Sequence, residues 1–69
     1  MNTTVLKRDE VVNLLKQLGH KKADKYPRKL LAKSVKRIFH NPKILEIEND
    51  LIYQIADAID DEAEIEIEG

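Results

Sequence analysis

The segment that most constrains the fold is "AEIEIE", residues 63–68, where Ala63, Ile65 and Ile67 alternate with glutamates. Alternation with a period of two is typical of a β-strand that has one buried face and one solvated face. The backbone N–H and C=O groups of a strand need partners, so another segment must pair with it. The alternative is an unpaired acidic tail.

The partner that the pattern indicates is "KILEIE", residues 43–48, in which Leu45 and Ile47 alternate with Glu46 and Glu48. A helix of about a dozen residues is nearly as long as five or six residues of strand. A helix of that length between the two segments would return the chain in a compact βαβ unit with parallel strands.

The sequence between these segments, "LIYQIADAIDD", predicts that helix, with Asn49 or Asp50 as its N-cap. Its predicted apolar stripe consists of Ile52, Ile55, Ala56 and Ile59.

A helix over residues 9–18 is predicted by "DEVVNLLKQLG", with Asp9 at its start and Gly19 as a left-handed C-cap. We expect Val5 and Leu6 to cover this helix or to extend its first turn. The apolar face consists of Val11, Leu14, Leu15 and Leu18.

The segment "RKLLAKSVKRIF" predicts a second helix over residues 27–39. Asn41-Pro42 is predicted to end this helix. Pro27 suits its first turn, and "HKKADKYPR" before it reads as an extended connector, with Tyr26 packed at the core or its rim. The side facing the core is predicted to hold Leu31, Val35, Ile38 and Phe39, with Leu30 beside them.

These elements predict a single α+β domain, residues 1–69, with two N-terminal helices followed by a strand–helix–strand unit that forms a small two-stranded sheet. A chain this short has one core and marginal stability. It contains no cysteine, so apolar packing alone must hold it. Because a two-stranded sheet is marginal in water, its apolar face must rest on the helices or gain strands from a second copy.

The net charge of −1 conceals a strong segregation of charge. Residues 1–45 hold all 12 Lys and Arg with three acids, a net +9, whereas residues 46–69 hold ten acids and no Lys or Arg, a net −10. The chain thus divides into a basic helical half, 1–43, and an acidic strand–helix–strand half, 44–69. Such asymmetry points to charged partners or to contact between the halves.

The connector and second helix form a candidate nucleic-acid interface. Their cations recur three or four residues apart on the side opposite the apolar stripe, and few acids are interspersed. Each cation that contacts a phosphate would release a counterion, and such contacts are largely blind to sequence. A solvated helix face is the alternative. The predicted binding residues are Lys22, Lys25, Arg28, Lys29, Lys33, Lys36 and Arg37, with Lys21 nearby.

The same region, "EVVNLLKQLGHKKADKYPRKLLAKSVKRI" at residues 10–38, resembles the helix–extended loop–helix modules of the SAP, LEM and Rho N-terminal type. The resemblance lies in an apolar helix ending in Leu-x-x-Leu-Gly, a polar loop and a Lys-rich helix. It implies binding to DNA, RNA or a DNA-binding protein through the loop and the second helix. The chain departs from these families at Pro27, where a small polar cap is usual, and in its acidic half. The residues that the resemblance implicates are Lys22, Lys25, Arg28, Lys29 and Lys33.

The acidic half offers an alternative function. Carboxylates crowded on one sheet face repel each other, so they favour a compensating basic partner. That partner could be the protein's own basic helix, the basic half of a second subunit in a homodimer, or a basic DNA-binding host protein captured by a virus-encoded DNA mimic. Such charges also discourage aggregation between strand edges. The predicted face holds Glu46, Glu48, Glu64, Glu66 and Glu68.

Catalysis and cofactor binding find no support in the sequence. His20 and His40 form no metal-ligand pattern, Ser34 has no predictable histidine partner, and the acids around 57–62 lack EF-hand spacing. No apolar run suits a membrane span or a signal peptide. We therefore expect a cytoplasmic protein that is not an enzyme, with no cofactor and no membrane partner, and the residues do not distinguish DNA from RNA.

Overall fold

The computed structural model describes residues 2–69. It contains a parallel pair of strands and three α-helices, joined by short 3₁₀ turns at Ala23–Lys25, Ile38–His40 and Pro42–Glu46. The elements in chain order are β1 (Thr3–Lys7), α1 (Arg8–Gln17), α2 (Arg28–Val35), α3 (Asp50–Asp60) and β2 (Glu64–Glu68).

The sheet pairs the first strand with the last, with Thr3 opposite Glu64 and Lys7 opposite Glu68. The prediction of two N-terminal helices before a strand–helix–strand unit is therefore wrong, although β2 itself is confirmed. In "TTVLK" Leu6 is 2% exposed and Val5 is 54% exposed, so only one large apolar side chain faces the core. A strand with one such residue shows no readable alternation.

The predicted strand at 43–48 is also wrong. Pro42–Glu46 forms a 3₁₀ turn, which buries Ile44 and leaves Leu45 89% exposed. Asn41 holds this turn with both ends of its side chain: Oδ1 accepts from the Lys43 N–H at 3.0 Å, and Nδ2 donates to the Leu18 carbonyl at 3.0 Å. The acidic half is consequently no strand–helix–strand unit, since its only described strand pairs with the N-terminal residues.

Helix α1 confirms the prediction at 9–18 within a residue at each end. It ends in a Schellman motif, with the His20 N–H donating to the Leu15 carbonyl at 2.9 Å and the Gly19 N–H to the Lys16 carbonyl at 3.1 Å. Gly19 has φ +105°, a conformation that side chains with a Cβ rarely adopt.

The other two helices differ in detail from the predictions. Helix α2 ends at Val35 rather than 39, and the chain continues through a turn that leaves Phe39 exposed. Of the two predicted N-cap candidates for α3, Asn49 is the N-cap, and its Oδ1 accepts from the Leu51 N–H at 3.0 Å. Its buried side is rotated from the predicted stripe and consists of Leu51, Ile55 and Ala58.

The core lies between the helices and one face of the sheet. Leu6, Ile65 and Ile67 supply the sheet side, and Thr3, Val5 and the β2 glutamates remain on the solvent side. Within residues 2–69 no polar or charged residue is fully buried, so apolar packing dominates the interior. From the helices come Val11, Leu14, Leu15, Leu31, Val35, Leu51, Ile55 and Ala58.

Candidate nucleic-acid interface

The connector between α1 and α2 is fixed to the body of the protein by Arg8. The Arg8 guanidinium donates from one nitrogen, Nη2, to the carbonyls of Asp24 at 3.1 Å and Tyr26 at 2.8 Å. Ala23 is buried beneath the connector. Sequence reasoning missed this contact, because nothing near Arg8 in the chain indicates that it folds back on residues 24–26. Arg8 therefore positions the candidate interface and is not one of its free cations.

Tyr26 packs at the rim of the core, as predicted. Its hydroxyl lies 3.1 Å from His20 Nδ1, and the two rings meet edge to face with centroids 6.0 Å apart. His20 and Tyr26 thus brace the two ends of the connector against each other. With its ring half-buried and its hydroxyl engaged, Tyr26 is poorly placed to stack on a base.

The cations of the connector and α2 are exposed and carry no close counter-charge. Among residues 2–69 the one ion pair within 4 Å joins Lys16 to Asp24 at 3.8 Å, and both side chains are largely solvated. Such a surface pair contributes little to stability. The exposed, unpaired cations of this region are Lys21, Lys22, Lys25, Arg28, Lys29, Lys33, Lys36 and Arg37.

Some cations of α2 and of the residues just after it line grooves together with carboxylates, and others do not. Lys29 shares a groove with Glu66 of β2, and Lys36 shares the adjoining one with Glu62. Lys33 lines neither groove, and Arg37, which follows the end of α2, lines neither as well. A carboxylate that lines the same groove as a lysine lowers the positive potential near that lysine.

The start of α2 is electrostatically unfavourable for the helix alone. Its first turn in the described chain contains Arg28 and Lys29 and no acidic residue, and Pro27 provides no side-chain cap. Cations near a helix N-terminus oppose the macrodipole and cost a few tenths of a kcal/mol each. The same dipole and the free first-turn N–H groups attract anions. Pro27 occupies the N-cap position, just before the helix, and not the first turn for which the sequence predicted it; its backbone there is extended, with φ −66°.

The predicted face of five carboxylates is not assembled. Glu64, Glu66 and Glu68 lie at alternate, exposed positions on β2, beside Thr3, Val5 and Lys7 of β1. Glu46 and Glu48 lie in and after the Pro42–Glu46 turn, away from the sheet, because no strand forms there. Only the three β2 glutamates share one face.

The described residues offer little that would support metal binding or catalysis. Within 2–69 no group of three or more His, Cys, Asp or Glu side chains is arranged to hold a metal ion. His40 is exposed and Ser34 is half-buried on α2. None of the helices that the structure describes has the length and apolar character to span a bilayer.

Comparison with known proteins supplies no relative: no family model, no curated protein and no solved structure matches this chain.

Proposed function

We propose that this chain is a non-enzymatic binding module that associates with nucleic acid through the connector and α2. The observation that carries the proposal is the set of eight exposed cations between Lys21 and Arg37, none within 4 Å of a carboxylate in the described chain. A surface evolved only for solubility mixes the two signs of charge. The resemblance of residues 10–38 to helix–extended loop–helix modules points in the same direction.

The mechanism is electrostatic capture of phosphates. Lysine and arginine side chains contact phosphate oxygens and release condensed counterions, so affinity falls steeply with salt. These contacts position the protein on the backbone and carry no sequence information. The Arg8 clamp and the His20–Tyr26 contact support this role because they hold the connector in one shape, which lowers the entropy lost on binding.

The contributions of the cations should be unequal. Glu62 and Glu66 lie across grooves from Lys36 and Lys29, and a phosphate near those lysines would also meet the carboxylates. Lys22, Lys25 and Lys33 lie outside both grooves and are expected to contribute most.

The alternative, an acidic protein that mimics DNA and binds a basic DNA-binding protein, has less support. That function requires five carboxylates on one sheet face, but Glu46 and Glu48 lie in and after the Pro42–Glu46 turn. The three β2 glutamates remain its candidate surface.

The test compares two double variants of equal charge. K22A/K33A removes two cations from the interface, and K7A/K43A removes two from elsewhere. Binding to labelled duplex DNA and duplex RNA is measured by fluorescence anisotropy at low and moderate salt. We expect the interface variant to lose about tenfold or more in affinity, and its salt slope to fall by about one per lost contact.

The control variant should bind within about threefold of the unmodified protein, since it changes only the long-range field. Circular dichroism should show that both variants fold. Equal losses in the two variants, or no binding by the unmodified protein at low salt, would refute the proposal. Capture of a basic DNA-binding protein that is lost in E64Q/E66Q/E68Q would instead favour the alternative.

A further inference from the structure

A groove lies on the side of the molecule formed by the Pro42–Glu46 turn and the start of α3. It has a volume of about 700 Å³ and is partly open to solvent. Its floor consists of Ile44, Ile47 and Ile52, which are buried or packed against the core. The proposed nucleic-acid interface uses none of these residues, so the groove is a separate feature.

The rim of the groove exposes three large apolar side chains. Leu45 is 89% exposed, Tyr53 is 72% exposed and Phe39 is 42% exposed, and all three line the same groove. Single exposed apolar residues are common, but a clustered, concave group of them marks an interaction site. Tyrosine and phenylalanine are also among the residues enriched at protein–protein interfaces.

Hydrogen bonds within the protein itself hold the walls of the groove in place. Asn41 holds the turn through its hydrogen bonds to Lys43 N–H and the Leu18 carbonyl, and Asn49 caps α3 on the opposite wall. A preformed groove loses little conformational freedom on binding.

The charged residues that line the groove are both acidic. Glu48 and Asp50 line it, and Asp57 lies one helical turn beyond Tyr53 on an exposed position of α3. Among the described residues no Lys or Arg lines it. Lys43 extends toward Gly19 instead, with its Nζ 3.9 Å from the place a Cβ would occupy there. An occupant with cations beside its apolar face would therefore be favoured.

A second copy of the chain fits this groove poorly. A twofold contact through the groove would place the same carboxylates of both copies against each other. The basic helix of another copy, α2, exposes only Leu30 as a large apolar residue, which cannot fill a groove of this size.

We propose that the groove docks an amphipathic helix of a different protein, with apolar residues spaced i, i+3 or i+4, and i+7, flanked by Lys or Arg. Helices of this kind bind apolar grooves through three or four anchoring side chains. Leu45, Tyr53 and Phe39 contact those anchors, and Glu48 and Asp50 face the flanking cations.

The probe is a synthetic peptide of about 18 residues, long enough to form a helix, with leucines at that spacing and lysines elsewhere. Binding is measured by calorimetry and by anisotropy of the labelled peptide. The variant L45A/Y53A should bind it about tenfold or more weakly, because both residues are central contacts. V5A, which shortens an exposed apolar residue on the sheet, is the matched control and should bind like the unmodified protein.

Two further measurements distinguish binding in this groove from general attraction between opposite charges. E64Q/E66Q/E68Q should keep the affinity, because those carboxylates lie on the sheet. A peptide with glutamates in place of the lysines should bind about tenfold more weakly or not at all. The proposal is overturned if L45A/Y53A binds like V5A, if the glutamate peptide binds equally well, or if ultracentrifugation shows a dimer that L45A/Y53A dissociates.

Discussion

Residues 44–48, "ILEIE", and β2, "EIEIE", both alternate apolar residues with glutamate and end in Glu-Ile-Glu, yet they fold differently. The first lies in a 3₁₀ turn and the extended residues after it, whereas β2 pairs with β1 over its whole length. In β2 the isoleucines are buried, and in the turn Leu45 is the most exposed large apolar residue that the structure describes. Alternation alone therefore does not make a strand in this protein.

The difference lies in where the backbone hydrogen bonds go. In the first segment the Ile44 N–H donates to the Asn41 carbonyl at 3.0 Å, and the Ile47 N–H to the Ile44 carbonyl at 3.3 Å. These groups are satisfied locally. In β2 the partners come from β1, and the Glu64 N–H already donates to the Asn2 carbonyl at 2.9 Å. Polar backbone groups need partners in either case, and the local turn supplies them where Asn41-Pro42 precedes the segment.

The largest expected effect comes from shortening equivalent side chains in the two segments. Ile65→Ala should cost about 2–4 kcal/mol in the free energy of unfolding, because it opens a cavity between the sheet and the helices. Leu45→Ala should change that free energy by no more than about 0.5 kcal/mol, since Leu45 is already solvated.

Urea unfolding followed by circular dichroism measures both values. Equal destabilisation by the two substitutions would mean that residues 44–48 are packed as a strand after all.

A smaller effect is expected from Asn41→Ala, which removes the side chain that holds the turn. It loses the capping bond to Lys43 and leaves the Leu18 carbonyl without its partner, at a cost of about 1–2 kcal/mol. The same urea titration measures the loss. Asn13→Ala, on the exposed side of α1, is the matched control and should fall within about 0.5 kcal/mol. A loss no larger than that of the control would show that Asn41 does not hold this segment.

The smallest effect concerns the residue that leads the chain into β2. Glu62 has φ +54° at the end of α3, where the Ala63 N–H donates to the Ala58 carbonyl at 2.9 Å. Glycine is the usual residue at this point of a Schellman motif, so Glu62→Gly should stabilise the protein by up to about 1 kcal/mol. Glu62→Ala is the control, because it removes the charge and keeps the Cβ. Thermal melts compare the two, and equal melting temperatures would contradict the conformational explanation.

Sequence periodicity correctly predicted the elements that are specified by residues within or next to the element itself. Helix α1 has four apolar residues on one face and a glycine after it, and Asn49 marks the start of α3. Strand β1 escaped prediction because Leu6 is its only large buried residue, and its pairing with β2 spans nearly the whole chain. The cations of the candidate interface could be read from the sequence. The surroundings of these cations could not be predicted, because Arg8 and the carboxylates near Lys29 and Lys36 belong to segments that are distant in the sequence.

The pairing of β1 with β2 also affects how fast the molecule can fold. Residues 3–7 pair with residues 64–68, so the sheet forms only when the segment that contains all three helices is closed into a loop. Closing so long a loop is entropically costly and slows folding relative to proteins built from adjacent contacts. The helices, whose hydrogen bonds join residues close together in the sequence, can form before the sheet that completes the core.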